Sequence, residues 1–241
     1  MRKFNAKVSV IFPAYNEEEN IELVVLTSHC LLREMVDDFE IIIVNDGSTD
    51  GTRQVCLGLQ QRFANVRLLD KKDNEGYGYA LRDGFAAARF ELIFFSDSDR
   101  QFDIVNLKDL LKHIDDYDIV VGFRKNRQDA WRRKFLSWGY HLLAQFLFRI
   151  NVRDIDCAFK LFKKKVFERI HIQSRYYFVN TEILAKARLY GFSIKETGVS
   201  HFPRYEGESK IRFGDIPRTL REVARIYGLL RLEKKGVAGA R

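Results

Sequence analysis

"FEIIIVNDGSTDGT", residues 39–52, joins an apolar, β-branched run to a turn rich in Asn, Asp, Gly, Ser and Thr. A short continuous apolar run bounded by turn residues reads as a strand buried on both faces. The glycines and small hydroxyl residues suit a tight turn that exposes backbone N–H groups ahead of a helix N-terminus. The same order of signals recurs on either side: "VSVIFP" (8–13) before "NEEEN", "VRLLD" (66–70), a helix through "YALRDGFAAARF" (79–90), then "ELIFFS" (91–96). Strand runs alternating with helical patterns predict βαβ units and a mostly parallel α/β sheet flanked by helices. In such sheets ligands bind beyond the carboxyl ends of the strands. "PAYNE" (13–17), "NDGSTDGT" (45–52) and "SDSDRQF" (96–102) therefore fall on one rim.

The bulk of the chain fits that frame. Its 241 residues, 46% of them hydrophobic, suffice for one substantial domain, and three prolines with no Pro/Gly/Ser-rich stretch offer no linker. The net charge of +8 favours an anionic partner: nucleic acid, a phosphorylated substrate or an acidic membrane surface. No nucleic-acid-binding module is recognisable. Cys30, Cys56 and Cys157 are odd in number and widely spaced, which predicts neither a disulfide framework nor a zinc site and suits a reducing, cytosolic setting. The N-terminus lacks a signal-peptide pattern, and no window supplies the roughly 18 apolar residues of a span, so a soluble or peripherally bound protein is expected.

Two later segments carry a basic and apolar texture. "RKNRQDAWRRKFLSWGYHLLAQFLFRI" (124–150) suits either a helix in a membrane interface or a core helix with a solvated entry loop. The C-terminal segment opens with Asp215 and Pro217 as helix-start residues. It sets Ile216, Leu220, Val223, Tyr227 and Leu230 on one stripe and Arg218, Arg221 and Arg225 on another.

Asp97 and Asp99 are the candidate chemical pair. Two carboxylates one residue apart at a strand end can turn toward a single hard cation, which keeps waters and takes the rest of its shell from substrate phosphates. Gln101 could add an amide oxygen. Taken alone, the pair reads first as a polar turn capping the helix that starts near Asp103, and only its context favours a metal site.

The ordered set "VSVIFPAYNEEENI", "VNDGSTDGT", "NEGYGYALRDGF", "SDSDRQF", "VVGFR", "RDIDCAFKLF", "NTEILAKA" and "HFPRYEGESK" resembles the inverting GT-A glycosyltransferases, the family of dolichol-phosphate mannose synthase and the polyprenyl-phosphate glycosyltransferases. The resemblance runs from about residue 8 to 212 and implies a Rossmann-like GT-A domain over 1–214. The basic amphipathic helix and tail, 215–241, would belong to the same domain or face a membrane. Pro13, Tyr15, Glu17, Val44, Asp46 and Ser98 resemble the nucleotide-binding positions, and Asp97, Asp99 and Gln101 the ligands of Mg²⁺ or Mn²⁺. Arg124, Arg204, Ser209 and Lys210 resemble the residues that gather donor and acceptor phosphates. Asp154 and Asp156 would orient acceptor or sugar, or cap a turn, and Glu182 would meet sugar hydroxyls.

The implied reaction moves a hexose, mannose or glucose, from a GDP- or UDP-sugar to a polyprenyl phosphate. Its implied setting is the cytoplasmic face of a membrane, with a membrane-anchored protein as a further partner. A second reading is a nucleotide-sugar-binding partner without turnover, and a third a non-lipid acceptor. The chain departs from the family pattern at Arg100, where a small or apolar residue is usual, and at Phe102 and Asp103, which replace His and Pro. "CAFK" replaces "SGFR", so Ala158 and Lys160 are substitutions as well.

Overall fold

The computed structural model describes residues 3–125, 144–203 and 216–239. The apolar run of residues 39–45 lies within β2 (Val36–Asp46), which pairs in parallel with β1 (Phe4–Ala14) and with β3 (Val66–Lys71). On its other side β1 takes β4 (Leu92–Ser96), again in parallel. The connections run through α1 (Ile21–Met35), α2 (Thr52–Arg62) and α3 (Tyr77–Ala87). A 3₁₀ turn (Ile104–Asn106), α4 (Leu107–Leu111) and β5 (Ile119–Arg124) follow. A short helical segment over 144–148 precedes β6 (Phe159–Lys163) and α5 (Lys165–Arg169). Then come α6 (Val179–Leu189), β7 (Ile194–Val199) and α7 (Ile216–Gly239).

The seven described strands make one sheet in the order β3-β2-β1-β4-β6-β5-β7. β5 and β7 are parallel, while β6 runs antiparallel to both β4 and β5. Because β6 runs backwards, its first residue, Phe159, stands opposite Ser96 at the carboxyl end of β4. The loop before β6 thus joins the loops that follow the other strands on one rim.

Successive side chains of a strand point to opposite faces, which builds two cores from one sheet. Val10, Phe12, Ile41, Ile43 and Phe94 pack with Val25, Leu32, Leu59 and Leu107 of α1, α2 and α4. Their neighbours Ile11, Ile42, Val44, Ile93 and Phe95 pack with Leu81, Phe85, Ile183 and Val223 of α3, α6 and α7. Full burial of a branched or aromatic apolar side chain contributes about 1.5–3 kcal/mol, so these two layers fix the register of each strand.

The C-terminal helix belongs to the second layer. Val223 and Ile226 are buried in it, and Tyr227 and Leu230 pack against it, while Arg221 and Arg225 stay exposed. The side chains of Ile216, Arg218 and Leu220 lie outside the described residues. Polar ties add to the packing: Tyr190 donates its hydroxyl to Glu233 at 3.0 Å, and Glu222 accepts from the Arg175 N–H at 2.9 Å. Among the described residues no helix is long and apolar enough to cross a membrane.

Candidate active site

The turns after β1 and β2 are interlaced. Asn16 adopts a left-handed backbone, φ 52°, a conformation that asparagine tolerates better than most residues. It donates its N–H to the Ser48 hydroxyl at 3.0 Å and accepts from the Thr49 N–H at 2.8 Å. Thr52 accepts from the Glu17 N–H at 2.8 Å, and Glu18 accepts from the Gly51 N–H at 2.6 Å. Each turn therefore satisfies backbone donors of the other. Glu17 is buried and accepts from the Asn20 amide at 2.9 Å.

Two expected nucleotide contacts are engaged inside the fold. Val44 has its side chain fully buried in the core beneath α3, because a mid-strand residue of that parity faces the helix layer. Asp46 is buried too, and its carboxylate accepts from the Glu75 and Gly76 N–H groups at 3.1 and 2.8 Å beside the Lys71 ammonium. It ties the "NEGYG" loop to the end of β2.

Asp97 and Asp99 follow β4 directly. Ser98 between them donates to the Pro13 carbonyl at 2.7 Å, fastening this turn to the end of β1. Arg100 supplies the reversal: its φ is 61°, a left-handed conformation that costs a branched or bulky L-residue about 1–2 kcal/mol. One of the residues that depart from the family pattern is thus the one bending the chain back. Helix capping falls to Asp103, which accepts from the Val105 N–H at 2.9 Å. Tyr77, the first residue of α3, donates its hydroxyl to Asp97 at 2.8 Å.

The electrostatics of the pair fit a divalent cation. Desolvation, and then the Asp99 carboxylate beside it, push the Asp97 carboxyl up to about 7. Two acids that resist sharing negative charge are relieved by a cation between them. Among the described residues no group of three or more His, Cys, Asp or Glu side chains could hold a metal. A two-carboxylate site suits Mg²⁺ or Mn²⁺, which complete their shell with water and phosphate.

Beyond β5 the rim turns basic. Arg124 grips Asp154 in a two-pronged pair, Nε to Oδ2 at 2.6 Å and a terminal nitrogen to Oδ1 at 2.7 Å, both side chains largely buried. Burial alone would lower the guanidinium, but the Asp154 carboxylate outweighs it and raises the group further above its ordinary range, so it stays charged. Lys160, fully buried on β6, donates to the carbonyls of Ile155 and Cys157 and, at 2.8 Å, to the Asn180 amide oxygen. It pins the loop that carries Asp154 and Asp156. Gln101 donates its side-chain amide to the Phe202 carbonyl at 3.3 Å and accepts at its own carbonyl from the Phe202 N–H. His201 is buried, its ring edge-on to Phe102 at 5.2 Å. Arg204, Ser209 and Lys210 lie outside the described residues, as does most of the basic segment 124–150.

Glu182 holds a different post from the one expected. It is fully buried, paired with Lys186 at 2.8 Å, and accepts from the Gln173 and Ser174 N–H groups at 2.9 and 2.7 Å. It has no surface to offer a sugar. What it secures is the loop 173–177, which sequence reading passed over. Arg175 accepts at its carbonyl from the Gly78 N–H and donates to the carbonyls of Glu75 and Asn74. The contact requires glycine: a Cβ at Gly78 would drive into the Ser174 carbonyl. Gly78→Ala is expected to destabilise the protein by about 1–3 kcal/mol, read from urea unfolding.

An open, mostly parallel sheet with interlaced loops and a paired-acid turn on one rim is the architecture of a GT-A glycosyltransferase. The chain belongs to glycosyl transferase family 2, whose model matches residues 9–171. It is 35% identical over 210 residues to a dolichyl-phosphate beta-glucosyltransferase of Trichomonas vaginalis, a match covering 80% of this chain and 64% of that protein. It is 30% identical over 215 residues to the glycosyltransferase AglD of Haloferax volcanii, covering 85% of this chain. The chain spans 34% of the length of AglD. Among solved structures it resembles glucosyl-3-phosphoglycerate synthase from Mycobacterium tuberculosis in complex with phosphoglyceric acid. The TM-score is 0.71 at 20% identity, with 93% of this chain and 80% of that one covered. The same synthase with Mn²⁺ and UDP-glucose gives a TM-score of 0.70 at 19% identity over 96% of this chain and 79% of that one. These likenesses show the shared fold.

Proposed function

We propose that the chain transfers a hexose from a nucleoside diphosphate sugar to the phosphate of a polyprenyl lipid of the dolichyl type. The observation that carries this reading is the Asp97–Asp99 turn, fastened through Ser98 to the first strand and flanked by the Arg124–Asp154 pair. The names of the relatives favour glucose as the sugar and a dolichyl phosphate as acceptor. The Mn²⁺ and UDP-glucose described for the mycobacterial synthase of the same fold favour a uridine donor over a guanosine one.

Asp97 and Asp99, assisted by Gln101, would hold the Mg²⁺ or Mn²⁺. When bound, the cation supplies positive charge against the departing nucleoside diphosphate. Pro13, Tyr15, Glu17, Asp46 and Ser98 shape the nucleotide side of the rim, two of them through the loops they brace. Arg124 offers a cation that Asp154 fixes in place, so it costs no reorganisation as charge builds on the leaving group. Arg204, Ser209 and Lys210 would gather the acceptor phosphate, with Asp156 orienting it. A phosphate monoester is already ionised at neutral pH, so attack at the anomeric carbon requires no strong general base. The exposed arginines of α7 and the basic stretch 124–150 suit a membrane surface on its cytoplasmic face, alone or beside a membrane-anchored protein.

The test is a screen of UDP- and GDP-hexoses against a short polyprenyl phosphate and against soluble phosphorylated acceptors. Lipid-linked glucose, formed from UDP-glucose and lost on chelation of divalent metal, is the expected product. Turnover only with soluble acceptors would move the chain to another branch of the family. Donor binding without turnover on any acceptor would make it a non-catalytic partner.

A further inference from the structure

Asp97 and Asp99 would touch the cation, and α3 brings a side chain that aims one of them. Tyr77 stands at the N-terminus of α3, immediately after Gly76, whose backbone is left-handed at φ 102°. That glycine turns the chain so that the first helical side chain comes to the acidic turn after β4. The Tyr77 hydroxyl donates to Asp97 Oδ1 at 2.8 Å. The ring is held in turn by Tyr177, with centroids 5.4 Å apart and planes 32° from parallel. The Tyr177 loop is itself anchored, since the Gly78 N–H donates to the Arg175 carbonyl at 2.9 Å.

We propose that Tyr77 is a positioning residue for the metal: its hydroxyl holds the Asp97 carboxylate in the orientation that accepts the cation. A carboxylate at a strand end can otherwise swing about its Cβ–Cγ bond, and a fixed donor on one oxygen removes that freedom before the metal arrives. Partners that orient a metal ligand in this way typically change metal affinity by about 10–100-fold when removed. A phenylalanine in the same place keeps the ring packing against Tyr177 and loses only the donor. A leucine, usual at neither end of such a contact, would lose both.

This inference rests on the assignment of Asp97 and Asp99 as metal ligands, and the experiment separates the two. Mn²⁺ binding without substrate is followed by electron paramagnetic resonance for the parent chain, Asp99→Asn and Tyr77→Phe, with thermal unfolding of each in chelator. The parent is expected to bind, Asp99→Asn to lose binding, and Tyr77→Phe to bind about tenfold more weakly while unfolding within a few degrees of the parent. Binding by Tyr77→Phe within twofold of the parent would overturn the role of Tyr77 and leave the metal site standing. Absence of Mn²⁺ binding by the parent would remove both. Should Tyr77→Phe not fold, the parent carries the test: Mn²⁺ is expected to perturb its near-ultraviolet tyrosine difference spectrum, and an unchanged spectrum would overturn the proposal.

Discussion

Asp99→Asn is expected to lower sugar transfer by on the order of a thousandfold, with no loss of thermal stability in the metal-free protein. Both halves follow from the geometry. The substitution takes away one of two carboxylates available to a cation, and asparagine is a poor substitute for a charged oxygen ligand. It also removes the charge that, after desolvation, does most to hold the Asp97 carboxyl up near 7, so the folded metal-free state is relieved of a repulsion. Initial rates at saturating Mn²⁺ and unfolding scans in chelator are the two measurements. A variant that turns over at the parent rate would remove the metal assignment altogether. One that loses activity together with its fold would show the acidic turn to be a structural cap.

Glu182→Ala is expected to give the opposite pattern: a large loss of stability with activity per folded molecule reduced less than about tenfold. The Glu182–Lys186 pair is buried, with side-chain exposures of 0% and 1%. Removing Glu182 leaves the buried Lys186 ammonium with only the more distant Glu233, at 3.7 Å, and the His171 carbonyl, and breaking a buried pair from one side costs about 3–5 kcal/mol. For a domain of this size that corresponds to a fall in unfolding temperature of roughly 10 °C. The Gln173 and Ser174 N–H groups of the loop 173–177 would also lose their carboxylate acceptor. A residue that instead touched sugar hydroxyls would leave the unfolding temperature in place and change kcat and KM. Scanning calorimetry beside initial-rate kinetics distinguishes the two roles directly.

The first half of the fold was legible because its strands obey local rules. β1, β2, β3 and β4 announce themselves as apolar runs ended by turn residues, and three of their turns carry the polar motifs. β6 was not legible as a reversed strand. "AFKLF" has the composition of any buried strand, and direction is decided by which neighbours it meets, here β4 and β5. Asp154 and Asp156 consequently reached the rim in sequence reading only through the family resemblance, since they precede their strand instead of following it.

The site divides in the same way. Asp97 and Asp99 were visible as a pair at a strand end, while the capping role expected of that turn falls instead to Asp103. Tyr77 and Lys160 were not visible as site residues: a tyrosine between two glycines and a lysine in an apolar run gain meaning only from what stands across the fold. Glu182 misled because a carboxylate in a family motif looks available until its burial is known. Lys186, one helical turn further on, was the clue that it had a partner.

The reversed strand also lets chain of both directions serve one rim. β1, β2 and β4 run parallel, so their rim loops follow them, whereas the rim loop of β6 precedes it. The floor beneath the acidic turn requires β6 to slot between β4 and β5, with Lys160 gathering the loop before it. The Asp97–Asp99 turn leaves the sheet on an outgoing strand and the Asp154–Asp156 loop enters it on an incoming one, so a single sheet edge meets both acidic loops without a second domain.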